Sequence, residues 1–149
     1  MKHGAVDIES GNMLHGALKF REMTVQEIMT PASEAFMIPL SEKLSVKIVQ
    51  DIFRSGYSRI PVYDKDKNDV IGVLMSKDLL LVDPKEEIPV RNFMTLFGRA
   101  PLVVWPDQKL GEILNLFSAS HRHMCIVRDV NNSGAVCIFL VLLYKLNVI

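Results

Sequence analysis

Apolar positions along the chain change period several times, and each change marks an element. Asp7–Phe20 repeats weakly at helical spacing and reads as a lead-in helix. Thr24-Val25-Gln26-Glu27 has the spacing of a capping box and predicts a short helix that Pro31 ends. The apolar run Phe36–Leu40 reads as a buried strand. Ser41 is the predicted cap of a helix with Leu44, Ile48, Ile52 and Phe53 on its apolar face, and Gly56 suits the position just past its end. Arg59–Tyr63 and Val70–Leu74 are predicted strands joined by the polar turn Asp64–Asp69. Lys77-Asp78 opens a helix that Pro84 stops, and Asp83–Pro89 is a linker. The order then recurs: a helical turn at Val90–Thr95, a strand at Leu102–Trp105, a helix from Asp107 carrying Leu110, Ile113, Leu114 and Phe117, and a strand at Met124–Arg128. Ala135–Leu143, rich in Val, Ile and Phe, reads as the last strand.

The recurrence extends to the residues. Val25-Gln26-Glu27-Ile28-Met29-Thr30 is echoed 65 positions later by Val90-Arg91-Asn92-Phe93-Met94-Thr95. Phe36-Met37-Ile38 is echoed by Leu102-Val103-Val104, and Lys43-Leu44 by Lys109-Leu110. Tyr57-Ser58-Arg59-Ile60-Pro61-Val62 lines up with His121-Arg122-His123-Met124-Cys125-Ile126. A period above the usual ~20–50 residues argues for two tandem supersecondary units rather than a solenoid. The expected organisation is a lead-in helix over 1–22, a first repeat over 23–83 and a second over 84–149, an α+β fold with two small three-stranded sheets each packed against helices.

Composition narrows the function. The 149 residues suffice for one compact module with a sizeable core. Lys+Arg and Asp+Glu balance at 17 each, so no field of one sign is present to recruit nucleic acid, and any phosphate must be held by local geometry. Cys125 and Cys137 lie inside apolar runs and read as buried thiols in a reduced setting. No stretch reaches the ~20 apolar residues of a membrane helix, so the chain is expected to be soluble.

Catalytic patterns do not emerge. Neither a Gly-x-x-x-x-Gly-Lys-Ser/Thr loop nor a Gly-x-Gly-x-x-Gly fingerprint is present, no serine has a base near it in sequence, and the carboxylates fall on predicted surface faces. No enzyme activity is therefore expected. His121-Arg122-His123 would put two imidazoles on one face of a strand, but the arginine between them disfavours a cation and no further ligand stands at a suitable spacing. The segment reads as solvent or partner contact. Tyr57-Ser58-Arg59-Ile60-Pro61 supports binding better. Tyr57 offers a flat face for a purine, Arg59 a planar guanidinium for phosphate, and Pro61, lacking an N–H, suits an edge strand with room beside it. The same residues fit a packed aromatic and a surface cation, and chemistry alone leaves both readings open.

Gly16-Ala17-Leu18-Lys19-Phe20-Arg21, Val25-x-Glu27-Ile28-Met29-Thr30-Pro31, Ser55–Tyr63 and Lys77-Asp78-Leu79 resemble the CBS-pair region of the cyclin M/CorC (CNNM/CorC) magnesium-transporter family. Val82-Asp83-Pro84, Lys109-Leu110, His123-Met124-x-Ile126-Val127 and Val130-Asn131-Asn132 extend the likeness to about residues 14–134. The resemblance implies a tandem CBS-domain pair: a cytosolic regulatory module on the cytoplasmic face of a membrane, behind a transmembrane domain, that binds ATP or a related adenine nucleotide, commonly with Mg2+, and forms a homodimer. The implied nucleotide-binding residues are Thr30 and Pro31, the strand residues Phe36, Met37 and Ile38, then Tyr57, Ser58, Arg59, Ile60 and Pro61, and Asp78. The family's second repeat closes on a Gly-Ile-Val-Thr-Leu-Glu-Asp-like turn; here the sequence runs Ala135-Val136-Cys137-Ile138-Phe139-Leu140, without Thr-x-x-Asp, and Met75 stands where the first repeat often has a hydroxyl. Only Ser133-Gly134 follows Asn131-Asn132, so the acidic loop with which the cyclin M branch binds the phosphatase of regenerating liver is missing. An interaction module with a dead nucleotide site, or a nucleotide-sensing unit of an enzyme, are the readings that compete.

Overall fold

The computed structural model describes residues 3–129 and 136–140. Helix α1 (His3–Glu22) leads through a 3-10 turn at Val25–Glu27 to the two-residue strand β1 (Thr30–Pro31). Then come β2 (Ile38–Pro39), α2 (Val46–Ser55), β3 (Arg59–Tyr63) and β4 (Val70–Met75), a 3-10 turn at Ser76–Leu81 and another at Pro84–Glu86. The second half supplies α3 (Val90–Phe97), β5 (Leu102–Val104), α4 (Leu110–Ser120), β6 (Met124–Arg128) and β7 (Val136–Leu140). No helix among the described residues is long and apolar enough to cross a membrane.

Each repeat builds the same β-α-β-β motif. In the first, β2 pairs in parallel with β3 (Ile38↔Val62) and β3 pairs antiparallel with β4 (Ile60↔Leu74). In the second, β5 is parallel to β6 (Val103↔Ile126) and β6 antiparallel to β7 (Ile126↔Ile138). The first sheet has the expected three strands, in the order β2-β3-β4. The second has four, β1-β7-β6-β5, because Thr30 and Pro31 pair with Ile138 and Cys137. Strand β7 thus covers Val136–Leu140 of the expected last strand; positions 141–143, the 130–135 segment and the Cys137 side chain lie outside the described residues.

Several boundaries depart from the sequence pattern for local reasons. The cap of α2 is Ser45, whose Oγ accepts from the Ile48 N–H at 3.3 Å, and not Ser41. Lys43 and Leu44 are drawn into a β-bridge first: Lys43 faces Pro89, and the Leu44 N–H donates to the Ile88 carbonyl at 2.8 Å. The second repeat repeats the device, with Lys109 facing Thr24 and the Leu110 N–H donating to Met23, so α4 begins at Leu110 rather than near Asp107. The helix expected from Lys77-Asp78 is the 3-10 turn Ser76–Leu81, and only Ile38 and Pro39 of Phe36–Leu40 enter the ladder. At Thr24 the capping carboxylate is in place, Glu27 Oε2 accepting from the Thr24 N–H at 2.6 Å, but the turn it starts is 3-10. Gly56 closes α2 at φ 72, the left-handed conformation that glycine adopts without a Cβ penalty.

The cores do not follow the repeat boundaries. The first contains Ile38, Leu44, Ile52, Ile60, Val62, Leu74 and Leu79, and it takes Val90 and Phe93 from α3. The second contains Val104, Leu110, Ile113, Phe117, Cys125 and Val127, and it takes Val25, with Phe20, Met23, Ile28 and Met29 beside it. Each repeat therefore lends its leading helical segment to the other's core. A small cluster of Val70 and Ile126, flanked by Ala35 and Met37, joins the two.

Candidate functional site

The exchange of segments brings equivalent positions of the two repeats face to face. Arg59 opens β3 and His123 immediately precedes β6; Arg59 Nη2 donates to His123 Nδ1 at 2.8 Å across 64 residues of sequence. Around this contact lies a cleft of about 440 Å3, within the range of small-molecule sites. Its floor is apolar, from Val73 and Met75 of β4, Leu102 of β5 and Met124 of β6. Its rim carries Arg59, Arg99, His121, Arg122 and His123, and no carboxylate lies among these lining residues.

Backbone contacts aim the rim residues. Val73 and Arg99 exchange N–H···O bonds of 2.8 and 3.0 Å, fastening the 98–101 segment against β4. That approach needs Gly72: a Cβ there would stand 2.6 Å from Met94 Cε and 3.2 Å from the Arg99 carbonyl. Arg122 is held by its Nη1, which donates to the Ala100 carbonyl at 2.7 Å. His121 ends α4 in the left-handed region at φ 52, the place that Gly56 fills in the first repeat, and a residue with a Cβ is strained there by about 1 kcal/mol. Both histidines thus lie in a helix end and the loop after it, not on one strand.

The electrostatics are those of a site short of negative charge. Burial, with the Arg99 charge, pulls the Arg59 guanidinium below its ordinary value. Burial, Arg59 and His121 likewise hold the His123 imidazole below the usual histidine range. Asp78 reaches Arg99 at 4.0 Å from the turn after β4, a distance too long for a strong pair, and Arg99 is more than half exposed. The arrangement can accept a compact anion bearing several oxygens, which the guanidinium forks bind by paired hydrogen bonds. Among the described residues no group of three or more His, Cys, Asp or Glu could hold a metal ion. Cys125 is buried and its thiol is pushed up to about 12, which leaves it inert.

Of the residues singled out from sequence, Arg59 lines the cleft and Asp78 adjoins it through Arg99. Tyr57 stands in the turn before β3, exposed, its ring stacked on Phe36 at 6.1 Å between centroids. Ser58 is exposed, and its carbonyl accepts from the Ser76 N–H at 3.0 Å. Thr30 and Pro31 are exposed on β1, whereas Met37 packs at the seam between the repeats. Ile38 and Ile60 are core residues, so only their backbone could meet a ligand. Pro61 is buried on the middle strand, not on an edge strand; its missing N–H is tolerated because the β2–β3 register starts one residue later, at Ile38↔Val62. His121, Arg122, His123 and Arg99 were not expected as site residues. The repeat alignment held the signal for the first three, since it sets His123 opposite Arg59, and equivalent positions meet where two like units face each other.

Comparison with known proteins agrees with this architecture. Residues 25–85 match the CBS domain family model. A DUF21 domain-containing protein of Arabidopsis thaliana is 35% identical over 127 residues, 85% of this chain but 29% of the relative, so the chain spans less than a third of that protein's length. The CBS domain of the bacterial CNNM/CorC family Mg2+ transporter in complex with ATP is 27% identical with a TM-score of 0.75, covering 89% of this chain and 91% of that one. Another structure of the CBS domain of the bacterial CNNM/CorC family Mg2+ transporter gives 28% identity and a TM-score of 0.73 over 90% of this chain and 78% of its own. Residues 25–85 thus form a CBS domain, and the fold as a whole is similar to the CBS regions of the CNNM/CorC magnesium transporters.

Proposed function

We propose that the chain is a regulatory, non-catalytic CBS pair that binds an adenine nucleotide on the cytoplasmic side of a CNNM/CorC-like divalent-cation transporter, working with that protein's transmembrane domain. The observation that carries this reading is the cleft whose rim is three arginines and two histidines with no carboxylate among its lining residues. Such a rim fits the phosphate end of the ligand. Tyr57 lies two residues from Arg59, about 7 Å of extended chain, a shorter distance than a nucleotide spans, and its exposed ring on Phe36 is suited to meet the purine. The bacterial CNNM/CorC neighbour solved with ATP supports the ligand class. Magnesium would arrive with the phosphates, because the described residues offer it no ligand set. Isothermal titration with ATP, with and without Mg2+, is expected to give saturable binding that weakens with salt, as counter-charge binding does. Absence of heat or of any competing displacement by AMP would remove the reading.

Assembly is the second part of the proposal. Leu80, Leu81 and Leu96 are 79%, 71% and 78% exposed, from the turn after β4 and from α3. Apolar side chains this open in two packed elements suit a homodimer with two-fold symmetry. Light scattering at roughly tens of micromolar is expected to give twice the monomer mass, and a monomer throughout would contradict it.

A further inference from the structure

The Arg59–His123 contact fixes the charge state of the cleft before anything enters it. A guanidinium only donates, so the Nδ1 that accepts from it carries no proton and the imidazole is neutral while that bond stands. The charged neighbours are nearly all of one sign. Arg59 comes from β3, Arg99 from the segment between α3 and β5, and His121 and Arg122 from the end of α4. β4, β5 and β6 present Val73, Met75, Leu102 and Met124, which do not titrate. The turn after β4 adds Asp78, which adjoins Arg99. An imidazolium here would add one more cation beside Arg59 without an acceptor, and burial, Arg59 and His121 all oppose it.

An incoming phosphate opposes this balance. Its oxygens accept from Arg59, which releases Nδ1, and its charge favours the imidazolium. We propose that the cleft binds its phosphate-bearing anion together with one proton from solvent, taken up at His123 Nδ1 and donated to a phosphate oxygen, so that occupancy rises as the medium acidifies. No covalent bond changes. The inference rests on the nucleotide reading above for its ligand but concerns a separate property, the proton. Its direction follows from linkage: the imidazole binds a proton more tightly in the occupied than in the empty cleft, so affinity grows as pH falls through the occupied-state value and levels off below the empty-state value.

The test is titration calorimetry of the whole chain with ATP from about pH 8 to pH 6, the range in which histidine changes charge, in buffers of different ionisation heats. The terminal phosphate of ATP itself titrates near pH 6, so the informative quantity is the difference between wild type and His123→Gln. Glutamine can still accept from Arg59 but cannot take a proton. Wild type is expected to gain roughly tenfold more affinity than the variant across this range, one pKa unit of differential binding, with net proton uptake; the variant stays near the weaker, high-pH level. Parallel profiles in the two proteins overturn the proposal. Should the variant fold poorly, the imidazole of wild-type His123 followed by NMR must titrate higher with saturating tripolyphosphate than without it, and no shift overturns the proposal equally. ATP binding with parallel profiles removes this inference alone. Tripolyphosphate binding with the His123 dependence but no ATP binding removes the nucleotide reading alone, and neither anion binding removes both.

Discussion

Tyr57 and Arg59 stand two residues apart, yet they end in different surroundings. Alternation along a strand would put them on one face, but the strand begins only at Arg59, and Tyr57 belongs to the turn that Gly56 makes possible. One therefore stacks on Phe36 and the other meets His123. This separates their expected effects. Arg59→Ala should weaken ATP and tripolyphosphate alike by about 1.5–3 kcal/mol, the range for hydrogen bonds to charged groups. Tyr57→Ala should weaken ATP by about 1–3 kcal/mol, the range for an aromatic under a base, and leave tripolyphosphate within about twofold. Calorimetry with the two ligands on the two variants checks both, and equal losses for both ligands in Tyr57→Ala would remove the purine assignment. Residue types alone allowed this assignment without deciding it: a flat ring and a fork two positions apart suit base and phosphate, and equally a packed aromatic and a surface cation. What they could not disclose is the cationic company of Arg59, because Arg99 and the 121–123 segment reach it only through tertiary contacts.

Elements were legible where one period dominates and was not disturbed from outside. The strands β3 and β4 match their patterns closely and β6 covers its expected residues, whereas on α2 only Ile48 and Ile52 of the expected face reach the core, Phe53 being half exposed. The misread starts share one cause. Leu44 and Leu110 are in helical phase with the apolar residues of α2 and α4, but the lysine before each, Lys43 or Lys109, is captured by a β-bridge to a distant segment, and helix begins only after that lysine. β1 is invisible for a similar reason: a Thr-Pro pair carries no strand signal, and its partner lies more than 100 residues away at Ile138 and Cys137. Gly72 shows the converse, a residue whose type reports a contact. Gly72→Ala must displace the Met94 methyl and press on the Arg99 carbonyl, an overpacking expected to cost about 1–3 kcal/mol. The flexible methionine is the closer obstacle, so the loss should shrink in a Met94→Ala background, with coupling of at least about 0.5 kcal/mol. Urea unfolding of the four proteins measures this cycle. Additive losses would mean that the carbonyl, not the methionine, sets the limit.

At the scale of the whole molecule, the two-unit plan was readable from the repeat, but the way the units exchange their leading segments was not. Amphipathic spacing reports that a helix has an apolar face, not which core it covers. Here Val90 and Phe93, 0% and 1% exposed, complete the core of the first repeat, and Phe93 is the largest fully buried side chain of the described residues. A fragment cut at the repeat boundaries, 23–83, would lack both, along with Met94 and Phe97 at their edge, while exposing Val25, Ile28 and Met29. Losing one buried phenylalanine costs about 3–5 kcal/mol. A whole domain is stable by only about 5–15 kcal/mol, and one of ~60 residues sits at the weak end. Fragment 36–97 keeps the first core entire, with β2, α2, β3, β4 and α3 in one stretch. It is therefore expected to melt cooperatively by circular dichroism, whereas 23–83, of nearly the same length, should show no cooperative transition. If 23–83 instead unfolds with the sharper transition, α3 does not belong to the first core in solution, and the contacts that aim Arg99 into the cleft lose their support.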